Sequence, residues 1–246
     1  MINNKTLVAY CHDYLNVAAF DDYCPNGLQI EGKPDIRKII SGVSANQDLI
    51  DAAIDEKVDA LFVHHGFFWK NEAPEIIGIK KNRIKALLEH DINLFAYHLP
   101  LDAHTTVGNN IQLAQRLDIK NPEPIGDTLV WQGEIDMTLS QLSNTIEQAL
   151  NRAPLVFGDD NKSLKRIAWC TGGAQSYIEH AINIGADCFI TGEVSEQIPA
   201  IAKENNIAFI SAGHHATERY GVQALCQHLS QQFDLEHQFV EIDNQV

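Results

Sequence analysis

The chain repeats itself, and the repeat limits what it can fold into. Residues 39–63, IISGVSANQDLIDAAIDEKVDALFV, align without a gap with residues 167–191, IAWCTGGAQSYIEHAINIGADCFIT. Ile39, Gln47, Ile50, Ala53, Ile54 and Asp59 meet identical residues, and most other apolar positions meet apolar ones. Each copy reads as strand, turn, amphipathic helix, strand. The helical face is Leu49, Ile50, Ala53 and Ile54 in one copy and Tyr177, Ile178, Ala181 and Ile182 in the other. The closing runs ALFV and CFIT are continuously apolar, as strands covered on both faces require. Each copy then continues through a helical stretch (NRIKALLEHD; SEQIPAIAKENN) into another strand (INLFAYH; IAFISAGH). A weaker parallel precedes them: a helix then GLQI in the first half, a helix over 139–151 then PLVF in the second.

Strands alternating with helices imply right-handed crossovers. The expected fold is α/β, with two similar, duplicated α/β domains whose largely parallel mixed sheets are flanked by helices. The segment NPEPIGD at 121–127 breaks both periodicities and reads as the boundary. The domains are therefore expected at 1–124 and 125–246. The C-terminal helix is expected to pack back on the first domain, and a metal site is expected in the cleft between the two.

The repeat also aligns unusual polar residues. The fourth strand of each copy ends in a histidine followed four residues later by a carboxylate: HLPLD, with His98 and Asp102, and HHATE, with His214 and Glu218. The third strand ends in His64–His65 in one copy and Gly192–Glu193 in the other. In open α/β sheets, binding groups gather at the carboxyl ends of strands. Imidazole and carboxylate together suit zinc, iron, manganese or nickel. His64, His65, His98, Asp102, His214 and Glu218 exceed the needs of one tetrahedral zinc with an open position and match two ions. Adjacent residues of a regular strand face opposite ways, so His64 and His65 share a site only if the pleat ends there; Gly66 is expected to turn the backbone. Glu193 reads as a ligand substitute, a general base or a surface residue. His215 reads as a neighbour of the site or as solvent-facing. Phe67, Phe68 and Trp69 either wall the site or pack under a loop. His12, His90, His104, His180, His228 and His237 read as surface.

Composition narrows the function class. A formal charge of −15 repels phosphate backbones and argues against general nucleic-acid binding. No apolar run approaches the length of a membrane span, and the start lacks the pattern of a secretion signal. The five cysteines are odd in number and never form CxxC. That pattern fits a reducing, cytoplasmic setting without a disulfide framework.

The motifs FVHHG, YHLPLDAH, GNNIQLA, TGE, GHHATERYG and the early PNGLQIEG together resemble the YbgI-like family of NGG1-interacting-factor-like proteins, labelled GTP cyclohydrolase type 2 homologues. The resemblance covers essentially the whole chain and matches the short bacterial form. It implies two similar α/β domains, a ring-shaped homohexamer and a dinuclear metal centre facing an internal cavity. Carried over, the ligands fall on His64, His65, Asp102, His214 and Glu218, with His98 a weaker ligand or neighbour. The expectation is a dinuclear-metal-dependent hydrolase. Activated water would attack a small nucleotide-like substrate at a C–N bond, with Glu193 and Glu218 moving protons. The alternative is a non-catalytic, metal-binding or regulatory hexamer.

Overall fold

The strands that the repeat forecasts are present, and they form the same three-stranded parallel core twice. The computed structural model describes residues 1–246. Up to residue 108 the elements are β1 (Ile2–Asn3), α1 (Asn4–Tyr14), β2 (Gly27–Ile30), β3 (Asp35–Ile36), β4 (Lys38–Ser44), α2 (Gln47–Asp55), β5 (Ala60–His65), α3 (Gly78–Glu89), β6 (Asn93–Ala96) and α4 (Leu99–Ala103). There follow α5 (Asn109–Arg116), β7 (Lys120–Pro124), β8 (Trp131–Thr138), α6 (Leu139–Leu150), β9 (Leu155–Phe157), β10 (Ser163–Trp169), α7 (Ile178–Asn183), β11 (Cys188–Thr191), α8 (Ile198–Glu204), β12 (Ala208–Ser211), α9 (His214–Phe233) and β13 (Glu236–Phe239).

Contacts divide the chain into two units. The first holds Met1–Gly108 and Gly221–Asp243, the second Asn109–Tyr220 and Asn244–Val246. The boundary therefore precedes the one expected at 124/125. NPEPIGD is not a linker: Lys120–Pro124 is an edge strand, β7, paired antiparallel with β8 inside the second unit. Its two prolines remove backbone donors, which an edge strand tolerates. Helix α9 starts in the second unit and from Gly221 belongs to the first.

In the first unit the sheet order is β13-β4-β5-β6-β2, parallel except for the β6/β2 pair. In the second it is β7-β8-β10-β11-β12-β9, where only β10/β11 and β11/β12 are parallel. The common frame is thus three parallel strands with an antiparallel strand beside the third, β2 in one unit and β9 in the other.

Four of the six identities mark the frame. Ile39 and Ile167, Ile50 and Ile178, and Ala53 and Ala181 are all buried. Asp59 Oδ2 accepts from the N–H groups of Arg37 and Lys38 at 2.9 and 3.1 Å; Asp187 Oδ2 accepts from those of Lys165 and Arg166 at 2.8 and 2.9 Å. The same carboxylate pins the first parallel strand in both copies, at the start of β4 and just before the parallel pairing of β10 begins. Strand β5 sends Ala60 and Phe62 into one core and Leu61 and Val63 into another, so its apolar run serves both faces of the sheet. In β11, Cys188 and Ile190 face one core and Phe189 the other. Helix α6 starts on a capping box, with Thr138 and Gln141 bonding each other's backbone. All five cysteines are buried free thiols, and no helix is long and apolar enough to cross a membrane.

Candidate metal centre

In the first unit, β5 ends with His64 and His65, while β6 leads into His98, the residue capping α4. Asp102 lies one turn along α4 and is buried. His64, His65 and His98 each offer a nitrogen within 4.8 Å of the others. Their rings are 4.6 Å (His64–His65), 5.0 Å (His64–His98) and 5.8 Å (His65–His98) apart. Asp102 Oδ1 is 3.5 Å from His64 Nε2. Donors of a tetrahedral zinc stand roughly 3.4 Å apart at bonds of about 2.0–2.1 Å, so small side-chain rotations would close the histidine set on an ion.

Each ring is held from behind. His64 Nδ1 donates to the Tyr97 carbonyl at 2.9 Å, which leaves Nε2 as the basic nitrogen. His65 Nδ1 lies 3.1 Å from Ser44 Oγ. His98 Nδ1 donates to Asp22 Oδ1 at 2.7 Å. Asp22 also accepts from the backbone N–H of Tyr23 and Leu99 and from the Asn26 side chain. Burial opposes its charge, yet the bonds from His98, Asn26 and Tyr23 prevail and bring its pKa down to about 2. A carboxylate or carbonyl behind a histidine fixes the tautomer and raises the basicity of the outer nitrogen. Neither Asp22 nor Asn26 was expected from the sequence; their contacts to His98 span more than seventy residues, and no local spacing announces them.

Gly66 acts differently from expectation. Its φ is not positive, and both histidines still belong to β5. Glycine is needed because a Cβ there would overlap the Gln29 side chain and sit 2.6 Å from the Ala96 Cβ. Gln29 in turn accepts from the Phe67 N–H at 2.6 Å. Of the three aromatics that follow, Phe67 is buried and Phe68 packs against the same core, while Trp69 lies 5.0 Å from His98 and 5.9 Å from His65, ring to ring.

The second unit uses the same plan with fewer rings. His214 opens α9, and Glu218 lies one turn along it, buried. His214 Nε2 is 3.1 Å from Glu218 Oε2, and His214 Nδ1 is 2.6 Å from Glu193 Oε1. Burial disfavours the charged ring, but the two carboxylates outweigh it and lift His214 to about 9. Gly172 (φ +73°) and Gly192 make room for this pair. A Cβ on Gly172 would overlap the Glu218 carboxylate, and one on Gly192 would come within 2.6 Å of the Gly172 carbonyl and the His214 Cα. Thr217 ties the two segments: its hydroxyl accepts from Gly172 N–H at 3.0 Å and donates to Gly213 O at 2.9 Å. No local spacing in the sequence marks the Gly172–Gly173 turn. His215 is buried, its N–H donating to the Val246 carbonyl at 3.0 Å, and it joins none of the clusters. Some histidines read as surface are engaged. The Tyr14 ring stacks on His228 at 4.2 Å, His104 Nδ1 accepts from two backbone N–H groups, and His237 Nε2 lies 2.8 Å from Ser41 Oγ.

The donor chemistry fits divalent cations in both units: imidazoles and carboxylates, buttressed from behind, with glycines clearing the space beside them. These buried groups can hold a metal ion.

The family model for Duf34/NIF3 (NGG1p interacting factor 3) matches residues 2–245. Relatives named GTP cyclohydrolase 1 type 2 homolog include one from Allochromatium vinosum, 50% identical over 99% of this chain and 98% of its own length. Another, from Pseudomonas aeruginosa, is 50% identical over 98% of this chain and 97% of its own length. The solved structure of protein ybgI, described as of unknown function, superposes with a TM-score of 0.95 at 47% identity, covering all of both chains.

Proposed function

The chain belongs to the Duf34/NIF3 family, and from that premise we propose that it is a dinuclear-metal-dependent hydrolase acting on a small, nucleotide-like molecule. The observation that carries the reading is the second-sphere buttressing. A carboxylate stands behind the helix-heading histidine in both units, Asp22 behind His98 and Glu193 behind His214. Such support is what a reactive metal centre requires of its ligands.

His64, His65, Asp102, His214 and Glu218, with His98 as a weaker ligand, would hold two divalent ions, of zinc, iron, manganese or nickel. Bound ions supply Lewis-acid activation of water. The residues of the chain do the rest. The Tyr97 carbonyl and Asp22 hold His64 and His98 in single tautomers. Glu193 keeps its proton link to His214 while its side chain is 37% exposed, so it is placed to pass protons to solvent. Glu218 reaches His214 from the buried side. The finer reading is hydrolysis at a C–N bond of a ring, as the names of the relatives suggest. A ring-shaped hexamer of this chain is part of the same proposal, and light scattering tests it.

The test of activity is a panel of nucleotides, cyclic amides and phosphoesters, offered to protein reconstituted with each metal. Turnover that disappears in Glu193→Gln and Glu218→Gln supports the hydrolase. Metal-loaded protein that leaves the entire panel intact would favour the non-catalytic, regulatory alternative.

A further inference from the structure

We propose that Asp22, Cys24 and His98 form a further cation site behind the histidine cluster, one that takes a thiophilic divalent ion such as zinc and competes with the cluster for His98. The proposal does not depend on the hydrolase reading, because occupancy is read from the bound ion and not from turnover.

Three observations carry it. The first is placement. Asp22, Cys24 and His98 each offer one donor atom within 4.8 Å of the other two, and all three belong to the first unit. Asp22 and Cys24 are buried on either side of the exposed Tyr23. An imidazole has two nitrogens. Nδ1 of His98 faces Asp22 Oδ1 at 2.7 Å, which leaves Nε2 for the side of His64 and His65.

The second is the company Cys24 keeps. A free, buried cysteine ordinarily packs as a small hydrophobe. Four of the five do so: Cys11 and Cys226 in one apolar core, Cys188 in a second and Cys170 in a third. Cys24 is buried as well, yet it belongs to none of the four apolar cores. Its thiol lies instead with a carboxylate and an imidazole. Packing accounts for the other four sulfurs and leaves this one to be explained by its polar neighbours.

The third is rigidity. Asp22 accepts from the N–H groups of Tyr23 and Leu99 at 2.6 and 2.9 Å and from the Asn26 amide at 2.8 Å. Asn26 Oδ1 accepts in turn from His98 N–H at 2.7 Å, and Tyr23 O from Lys70 N–H at 2.6 Å. Pro25 confines the backbone of Cys24. The three donors are thus held in place before any ion arrives.

One sulfur, one nitrogen and one oxygen with a position open to water suit zinc, whereas magnesium and manganese prefer oxygen alone. As the metal–sulfur bond forms, the Cys24 Sγ–H proton leaves to solvent. The ion also takes the place of the proton between His98 Nδ1 and Asp22. A neutral imidazole keeps one proton, so that proton reappears on Nε2 and closes this nitrogen to the ions beside His64 and His65. A filled site therefore withdraws His98 from the cluster and from its bond to Asp22. Donors around a tetrahedral ion of this kind stand roughly 3.3–3.6 Å apart, so the 2.7 Å contact between Asp22 and His98 must open. That cost makes the site weaker than the dinuclear centre, and it fills only as metal is added.

The experiment titrates cobalt(II) chloride into the full chain, kept reduced with a phosphine. Cobalt bound to a thiolate gives a near-ultraviolet charge-transfer band that nitrogen and oxygen ligands do not. Wild type should develop this band, and zinc should bleach it where magnesium does not. Cys24→Ser and Cys24→Ala should both lose it. His98→Gln, which leaves every cysteine in place, should lose it too. Cys170→Ser and His64→Ala should keep it, because neither residue is a ligand of this site. Circular dichroism confirms that each variant is folded. Wild-type protein with no such band at saturating cobalt would overturn the proposal, a result that needs no variant. So would a band that survives the loss of Cys24, or one that disappears in folded His64→Ala. The two readings fail separately. A Cys24-dependent band in protein that never turns over a substrate contradicts the hydrolase alone. Turnover by protein that shows no band contradicts the cation site alone.

Discussion

The two units build one kind of histidine–carboxylate pair in two ways. Each places a histidine at the head of a helix with a carboxylate one turn later, and each sets a second carboxylate against that histidine's Nδ1. In the second unit the buttress comes from nearby, Glu193, just past the end of β11. In the first it comes from a loop 76 residues upstream, Asp22. The second unit clears space with glycines, Gly172 and Gly192. The first fills the equivalent space with rings, His64, His65 and Trp69. The backbone frame and its anchoring aspartate recur, whereas the polar supports do not. A duplicated scaffold fixes where ligands can stand, and each copy then finds its own means of aiming them.

The largest contrast should appear at the glycines. Gly172→Ala combines positive φ with a clash against the Glu218 carboxylate, and should destabilise by about 2–5 kcal/mol. It should also abolish metal binding by the second unit's ligands. Gly185→Ala, at φ +68° with open space around it, should cost only about 1–2 kcal/mol. Urea titrations compare them; equal costs would show that the Gly172 cradle is not tight.

Next come the buttresses. Asp22→Asn should weaken metal binding about 10- to 100-fold. Glu193→Gln should weaken it less, because its side chain is 37% exposed against 3% for Asp22. Competitive chelator titration reads both, and the reverse order would break the comparison. Asp59→Ala and Asp187→Ala should then cost similar amounts, about 1–3 kcal/mol each, since each leaves two backbone N–H groups without their carboxylate. A large difference in melting temperature between them would mean that the two frames are not equivalent.

The smallest effect concerns His237, which burial lowers to about 4. The folded chain holds its neutral ring. Its contribution is therefore complete above the unfolded value of about 6.5 and is lost as the pH falls from there toward about 4. Urea midpoints at about pH 7.5 and about pH 4.5 should differ less in His237→Gln than in wild type. An unchanged difference would exclude this residue.

The frame was legible because its signals are local. Apolar runs of four and a helical face of spacing i, i+1, i+4 depend on neighbours in the chain, and they forecast β4 to β6 and β10 to β12 with their helices. The head-of-helix pairs, His98/Asp102 and His214/Glu218, were legible for the same reason. Asp22, Gly172 and Ser44 act through contacts that the tertiary fold creates, and no spacing reveals them. NPEPIGD misled because proline breaks periodicity in an edge strand as it does in a linker. Gly66 misled because close approach and left-handed geometry both demand glycine, and only the backbone angles tell them apart. His237 looks like a surface residue in sequence because its partner, Ser41, lies on the neighbouring strand β4.

The proposal under test is that the histidines and carboxylates of the two units bind divalent metal. Metal content per chain tests it most directly, measured by elemental analysis of wild type, His64→Ala and Glu218→Ala purified without chelators or a histidine tag. About two ions per wild-type chain are expected, with a fall in each variant although the two substitutions lie in different units. Wild-type protein that takes up no zinc, iron, manganese or nickel, or variants that keep the full wild-type content, would contradict it.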